Sequence, residues 1–194
     1  MNFAHPRFSR GLPLLASVGL LLGHTTPAAA AQVFNQVAAA PAPAVAQTSG
    51  SETFTGHLVV SGRSGGREVV NSVIVARGVF NGVGRIVERP NLPSDPDNVS
   101  RDELVFGEGS LLIINMTLDA AFTIDPQSCV ARFTTHATTT VVGGSGRFSG
   151  ASGSFTGTGT GHGLARRAPD GSCALDQAGP VEMDNITMSG TLSF

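Results

Sequence analysis

Chemistry in a protein requires ionisable or nucleophilic side chains held together, and few stretches of this chain offer them. Arg132 and His136 stand four apart in CVARFTTHATTTVV, with Thr134 between them, so on a strand they share one face. Facing a pocket, they would supply a cation and a general base. The opposite face of that strand carries Ala131, Phe133, Ala137 and Val141, which favours a solvated outer position for Arg132 and His136. Asn115 lies in SLLIINMTL, where both alternating faces are largely apolar. Such a strand is expected to be covered on both sides, and its amide must find partners, either as a structural group or as the lining of a cavity. Glu68 and Glu108 stand at strand ends, either as plain solvated carboxylates or as groups at the mouth of a closed sheet.

Other arrangements come close to a motif and stop short. Asp95, Asp97, Asp102 and Glu103 crowd one loop and could bind calcium outside the cell, but their spacing is not that of an EF-hand, and no metal site is assigned. Gly62-Arg63-Ser64-Gly65-Gly66 matches the Gly-x-Ser-x-Gly elbow in letters alone. The elbow needs a helix after it, and here a strand follows, so the segment reads as a glycine turn. The glycines from Gly143 onward precede neither a helix nor a lysine, so they are no phosphate loop, and no cofactor is expected. Cys129 and Cys173 are an even pair behind a secretory leader, which reads as one disulfide.

The elements that must position these residues are strands. The stretch Gly143–Gly163 has two halves. Glycines at 143, 144, 146, 150 and 153 read as a turn with positive φ at several points. Beyond them Phe155, Gly157, Gly159, Gly161 and Gly163 alternate with Ser154, Thr156, Thr158, Thr160 and His162. A period of two is a strand, and glycines along one face suit a strand coiled tightly into the wall of a small barrel. Further strands are expected over Phe54–Ser61, Glu68–Phe80, Val83–Glu88, Asp102–Phe106, Ser110–Leu118, Ala120–Ile124, Cys129–Val142 and Ile186–Phe194, with Asn81-Gly82 as a hairpin signal and Leu164–Met183 as a loop. No helix is expected. About eight strands is the number that closes into a barrel with a filled or ligand-sized interior, and closure removes exposed edges.

The N-terminal residues 1–31 carry a basic start, the apolar run LPLLASVGLLLG and an Ala29-Ala30-Ala31 cleavage pattern. They read as a signal peptide cut after Ala31, because the run is shorter than the ~20 residues a membrane helix needs. The expected location is therefore extracellular, with no transmembrane segment in the mature chain. Residues 32–51 are an Ala/Pro-rich linker, and residues 52–194 have the size of one domain. The chain holds 12 basic and 14 acidic residues, every basic one an arginine, with no cluster beyond Arg166-Arg167. That argues against nucleic acid as a partner.

The segment GGSGRFSGASG, Gly143–Gly153, followed by an alternating strand and a terminal SGTLSF, resembles the allene oxide cyclase and dirigent barrel superfamily. DPDNVSRDELVFGEG, Asp95–Gly109, is similar to a segment of secreted bacterial proteins of that barrel type. The resemblance spans about Thr53–Phe194 and implies an all-β, calycin-like, eight-stranded antiparallel β-barrel. Enzymes of that build use polar residues inside the barrel, often with tyrosine, and this chain has no tyrosine. No catalytic residue is therefore carried over. The functional expectation is a secreted barrel that binds a small apolar molecule or serves a surface role. The alternatives are a cyclase or isomerase acting on a lipid-like or polyketide-like substrate, and an adhesive module on its linker.

Overall fold

The structure is a computed structural model that describes residues 47–62, 68–174 and 179–194. The expected signal peptide, most of the expected linker and the Arg63–Gly66 part of the elbow-like segment lie outside those residues. Eight strands form a closed antiparallel barrel: β1 (Ser49–Ser61), β2 (Glu68–Gly78), β3 (Gly82–Arg89), β4 (Val99–Phe106), β5 (Gly109–Ile124), β6 (Val130–Gly146), β7 (Ser152–Leu164) and β10 (Val181–Ser193). Two residue pairs, β8 (Arg166–Arg167) and β9 (Cys173–Ala174), make a small separate ladder. Neighbours in the barrel follow chain order except at closure, where β10 lies between β7 and β1. Among the described residues no helix is long and apolar enough to cross a membrane.

Several boundaries move from where the residues place them. β1 begins at Ser49 and takes in the last three residues of the expected linker, because its backbone pairs with the last strand from Ser49↔Ser193 onward. Ser110–Leu118 and Ala120–Ile124 are one strand, not two. A β-bulge between Thr117 and Asp119 shifts the alternation by one residue there, which imitates a strand end. β6 runs on through the first glycines to Gly146, so the turn is confined to Arg147–Ala151. β2 stops at Gly78, and Val79, Phe80 and Asn81 make the connection to β3, so Asn81-Gly82 is not the centre of a two-residue hairpin. The expected loop before the last strand contains β8, β9 and the first residues of β10.

One end of the barrel is plugged by aromatic rings. Phe54, Phe80, Phe106, Phe148, Phe155 and Phe194 pack there, with centroid separations from 4.7 Å (Phe80–Phe148) to 6.4 Å (Phe54–Phe106). Most of these pairs meet edge to face or tilted, the arrangement that the ring quadrupole favours. Phe148, which packs against Phe80, Phe106 and Phe194, comes from the β6–β7 turn. Gly146 (φ 58°) and Gly150 (φ 79°) take left-handed angles on either side of it, which turns the chain inward and buries Phe148 completely. Arg147 stays outside, over the Phe194 ring at 5.4 Å and against Glu108 at 2.5 Å. Leu58, Ile74, Leu104, Leu111 and Leu192 continue the core along the barrel axis.

Candidate functional site

Above the aromatic plug the barrel is hollow. A cavity of about 560 Å³ occupies the half nearer the β3–β4 loop, within the size range of small-molecule sites. Its walls follow from strand parity. Leu58, Ile74, Ile86, Leu104, Ile113 and Met188 supply an apolar lining next to the core. Toward the mouth the inward positions turn polar: Asn115 and Thr117 on β5, Thr135 and Thr139 on β6, Glu182 and Asp184 on β10.

The glycines of β7 create part of this space. A Cβ on Gly157 would lie 2.8 Å from Met188 Cβ, and one on Gly159 would lie 2.6 Å from Thr135 Oγ1. At Gly161 the missing side chain is replaced by the Phe133 ring and the Asp184 carboxylate, which would stand 2.3 and 2.5 Å from it. The glycine face therefore looks inward, and larger side chains from β6 and β10 fill the room it leaves.

Asn115 is both of the things its position allows. It lines the cavity, and its amide is satisfied. Thr139 Oγ1 donates to Asn115 Oδ1 at 2.7 Å, while Asn115 Nδ2 donates to Asp102 Oδ2 at 2.7 Å and more weakly to Ser100 Oγ at 3.3 Å. A polar chain thus crosses three strands, β6 to β5 to β4, on the inner wall. Each group's hydrogen-bond direction is fixed by the next one. The strand's other face is not covered among the described residues: Leu112 and Met116 point outward and stay exposed.

The remaining candidates do not converge on this cavity. Arg132 and His136 lie on the outer wall, as the apolar face opposite them requires. His136 Nδ1 meets Asp119 Oδ1 at 2.7 Å in solvent. Glu108 sits at the plugged end, opposite the mouth, where it pairs with Arg147. Glu108 is thus the exposed carboxylate of the two readings and not a group at the cavity mouth, because the tight β4–β5 turn lies at the plugged end. Glu68 opens β2 on the outer surface beside Ser61, since a bulge at Val59/Val60 puts Val69, not Glu68, on the inner face.

The acidic loop is divided among separate partners. Arg101 grips Asp95 with two bonds, Nε–Oδ2 at 2.7 Å and Nη2–Oδ1 at 2.9 Å, and Leu92 N–H donates to Asp95 Oδ2 at 2.7 Å. The arginine bonds first, then the amide, hold the Asp95 carboxyl down at about 2. Glu103 is held below the usual range by the Ser110 hydroxyl and then by Arg89. Asp102 turns inward to Asn115. Among the described residues no group of three or more acidic, His or Cys side chains is placed to hold a metal ion.

Cys129 and Cys173 are bonded, with Cα atoms 5.5 Å apart across a sequence separation of 44. The bridge ties the start of β6 to the segment that leaves β7, at the cavity end of the barrel. Comparison with protein-family models, curated proteins and solved structures gives no match for this chain.

Asp184, Glu182, Thr135 and Thr139 were not singled out from the residues, and one signal pointed to two of them. The inward face of the last strand, Ile186-x-Met188-x-Gly190-x-Leu192, continues backward in the same parity to Asp184 and Glu182. Charged letters on an apolar face read as the end of a strand, when here they are its cavity-lining part.

Proposed function

We propose that this barrel binds a small amphipathic molecule in its interior. The observation that carries the reading is the cavity of about 560 Å³, apolar beside the core and polar at the mouth. The apolar part of the ligand lies against Ile74, Ile86, Leu104 and Ile113, where removal from water supplies most of the affinity. Its polar part meets the Thr139–Asn115–Asp102 wall, which fixes its orientation. The protein acts outside the cell after loss of a leader ending at Ala31; a disulfide suits that compartment.

Native mass spectrometry of protein taken from its own culture medium tests both statements. The expected mass begins at Gln32 and includes a retained small molecule. Two variants then locate the site. Ala137→Trp fills the cavity and is expected to abolish binding of that molecule, while Thr138→Trp, one residue along and facing outward, leaves it intact. Equal binding by the two folded variants would place the ligand elsewhere.

A second reading, conversion of the bound molecule by an isomerase or cyclase, draws on the carboxylates of Asp102 and Asp184 that line the cavity, Asp184 being 7% exposed. Enclosed carboxyl groups can serve general acid–base chemistry. The resemblance to allene oxide cyclase and dirigent barrels points the same way. A change in the structure of the retained molecule on incubation, lost in Asp184→Asn, would favour this reading over simple binding.

A further inference from the structure

The far half of β5 is an edge that the barrel does not close. β4 pairs with β5 only from Phe106↔Gly109 to Val99↔Met116, and Thr117 is then tied to Asn98 by Thr117 N–H to Asn98 O and Asn98 Nδ2 to Thr117 O, both at 2.9 Å. Beyond that point Asp119–Ile124 pairs with β6 on one side, Leu118 being the bulged residue. On the other side no backbone partner exists among the described residues. Both faces of this segment are open, since every residue from Leu118 to Thr123 is exposed, Leu118 at 58% and Phe122 at 51%.

Proteins blunt such edges with proline, lysine, inward charges or covering loops. LDAAFTI has no proline and one charge, Asp119. The segment's own sequence is instead compatible with pairing to a second copy. Antiparallel pairing of two copies about Ala121 sets Leu118 opposite Ile124 and Ala120 opposite Phe122, so large side chains meet small or apolar ones. On the outer face the same register sets Asp119 opposite Thr123. Within one copy His136 is beside Asp119 and Arg132 is beside Thr123. Each Asp119 therefore stands beside His136 of its own chain and opposite Thr123 of the second copy, with Arg132 of the second copy next in the same row, and the arrangement repeats on both sides of the two-fold axis.

We infer that Leu118–Ile124 is a self-pairing edge through which two copies of this chain join their barrels into one continuous sheet. Such an interface is isologous and closes on itself, which spares the edge from open-ended association. A pairing of one short strand buries less than the ~1,200 Å² typical of stable complexes, so the dimer is a weak, concentration-dependent one.

Sedimentation velocity over a concentration series, on the protein with its Cys129–Cys173 bridge intact, tests this. Reversible dimerisation is expected, weakened by added salt. Phe122→Lys is expected to lower the association constant at least tenfold, and Val142→Lys, an exposed position outside this edge, to leave it unchanged. In a second measurement, Ala121→Cys should form a disulfide-linked dimer under mild oxidation much faster than Val142→Cys. A chain that stays monomeric at every concentration would overturn the inference. So would a dimer indifferent to Phe122→Lys, equal cross-linking by the two cysteine variants, or an edge that captures a different extended peptide while the chain itself remains single.

Discussion

Among the described residues, Glu52 is the glutamate buried at the plugged end, at 1% exposure. Its Oε2 accepts the Phe80 N–H at 3.1 Å, which anchors the β2–β3 connection that delivers the Phe80 ring to the plug. Burial pushes its carboxyl above the ordinary value of 4.5, and the amide bonds from Phe80 and its neighbours only partly offset this. The sign follows by linkage: the folded state binds the proton more tightly than the unfolded chain. Stability linked to Glu52 is fully present below pH 4.5 and is lost as pH rises through the raised folded value. Glu52→Gln keeps the acceptor for Phe80 N–H and removes the charge. It is expected to be at least as stable as the parent at pH 7, with a flatter dependence of unfolding free energy on pH above 4.5. Denaturant unfolding at several pH values checks this; a variant that is less stable at pH 7 with an unchanged slope would show that the carboxylate is fully compensated.

At the scale of the element, β7 is a strand whose inner face is nearly all glycine. Thr156, Thr158 and Thr160 on its outer face supply β propensity, and the inner face makes room for Met188, Thr135 and Phe133. Gly157→Val places methyl groups where Met188 Cβ and Thr187 O already stand within 2.8 Å of the first added carbon. Overpacking of that kind costs about 1–3 kcal/mol. Thr158→Val, one residue along and facing outward, is expected to cost much less. Thermal unfolding of the two separates the cases, and equal stability would mean that β7 can move away from β10 without loss. A Gly157→Val protein that folds normally but no longer retains a small molecule would assign the glycines to the ligand.

For the whole molecule, the bridge between Cys129 and Cys173 closes a long loop across the cavity end. Cys129 itself stands in the left-handed region at φ 57°, a conformation that favours glycine, with its N–H donating to Asp125 O at 2.8 Å. Replacing both cysteines by serine is expected to lower stability by about 3–4 kcal/mol on the chain-entropy account of a loop this long. The aromatic plug lies at the other end and does not depend on the bridge, so the variant should still fold at low temperature. Calorimetry gives the loss, and near-ultraviolet circular dichroism of the phenylalanines reports whether the plug survives. Loss of the phenylalanine signal at all temperatures would show that the two ends fold as one unit.

The residues alone determined the class of fold, because alternation, glycine punctuation and the absence of helical periodicity are local properties of the chain. They also placed Arg132 and His136 outside, turned the β7 glycines inward and paired the cysteines, each from a face or a count that can be read without neighbours. What they could not contain was which end of the barrel is open. Glu108 and the mouth differ only in the direction of a strand relative to the aromatic plug, and that plug exists only when rings from six separate places in the chain meet. The polar wall was hidden for a related reason. Thr139, Asn115 and Asp102 are far apart in sequence, and strand register alone brings them side by side; until then Asp102 is one acid in a loop. The bulge at Leu118 and the open edge beyond it are likewise tertiary facts, since whether a strand has a neighbour is decided by where the next strand stops.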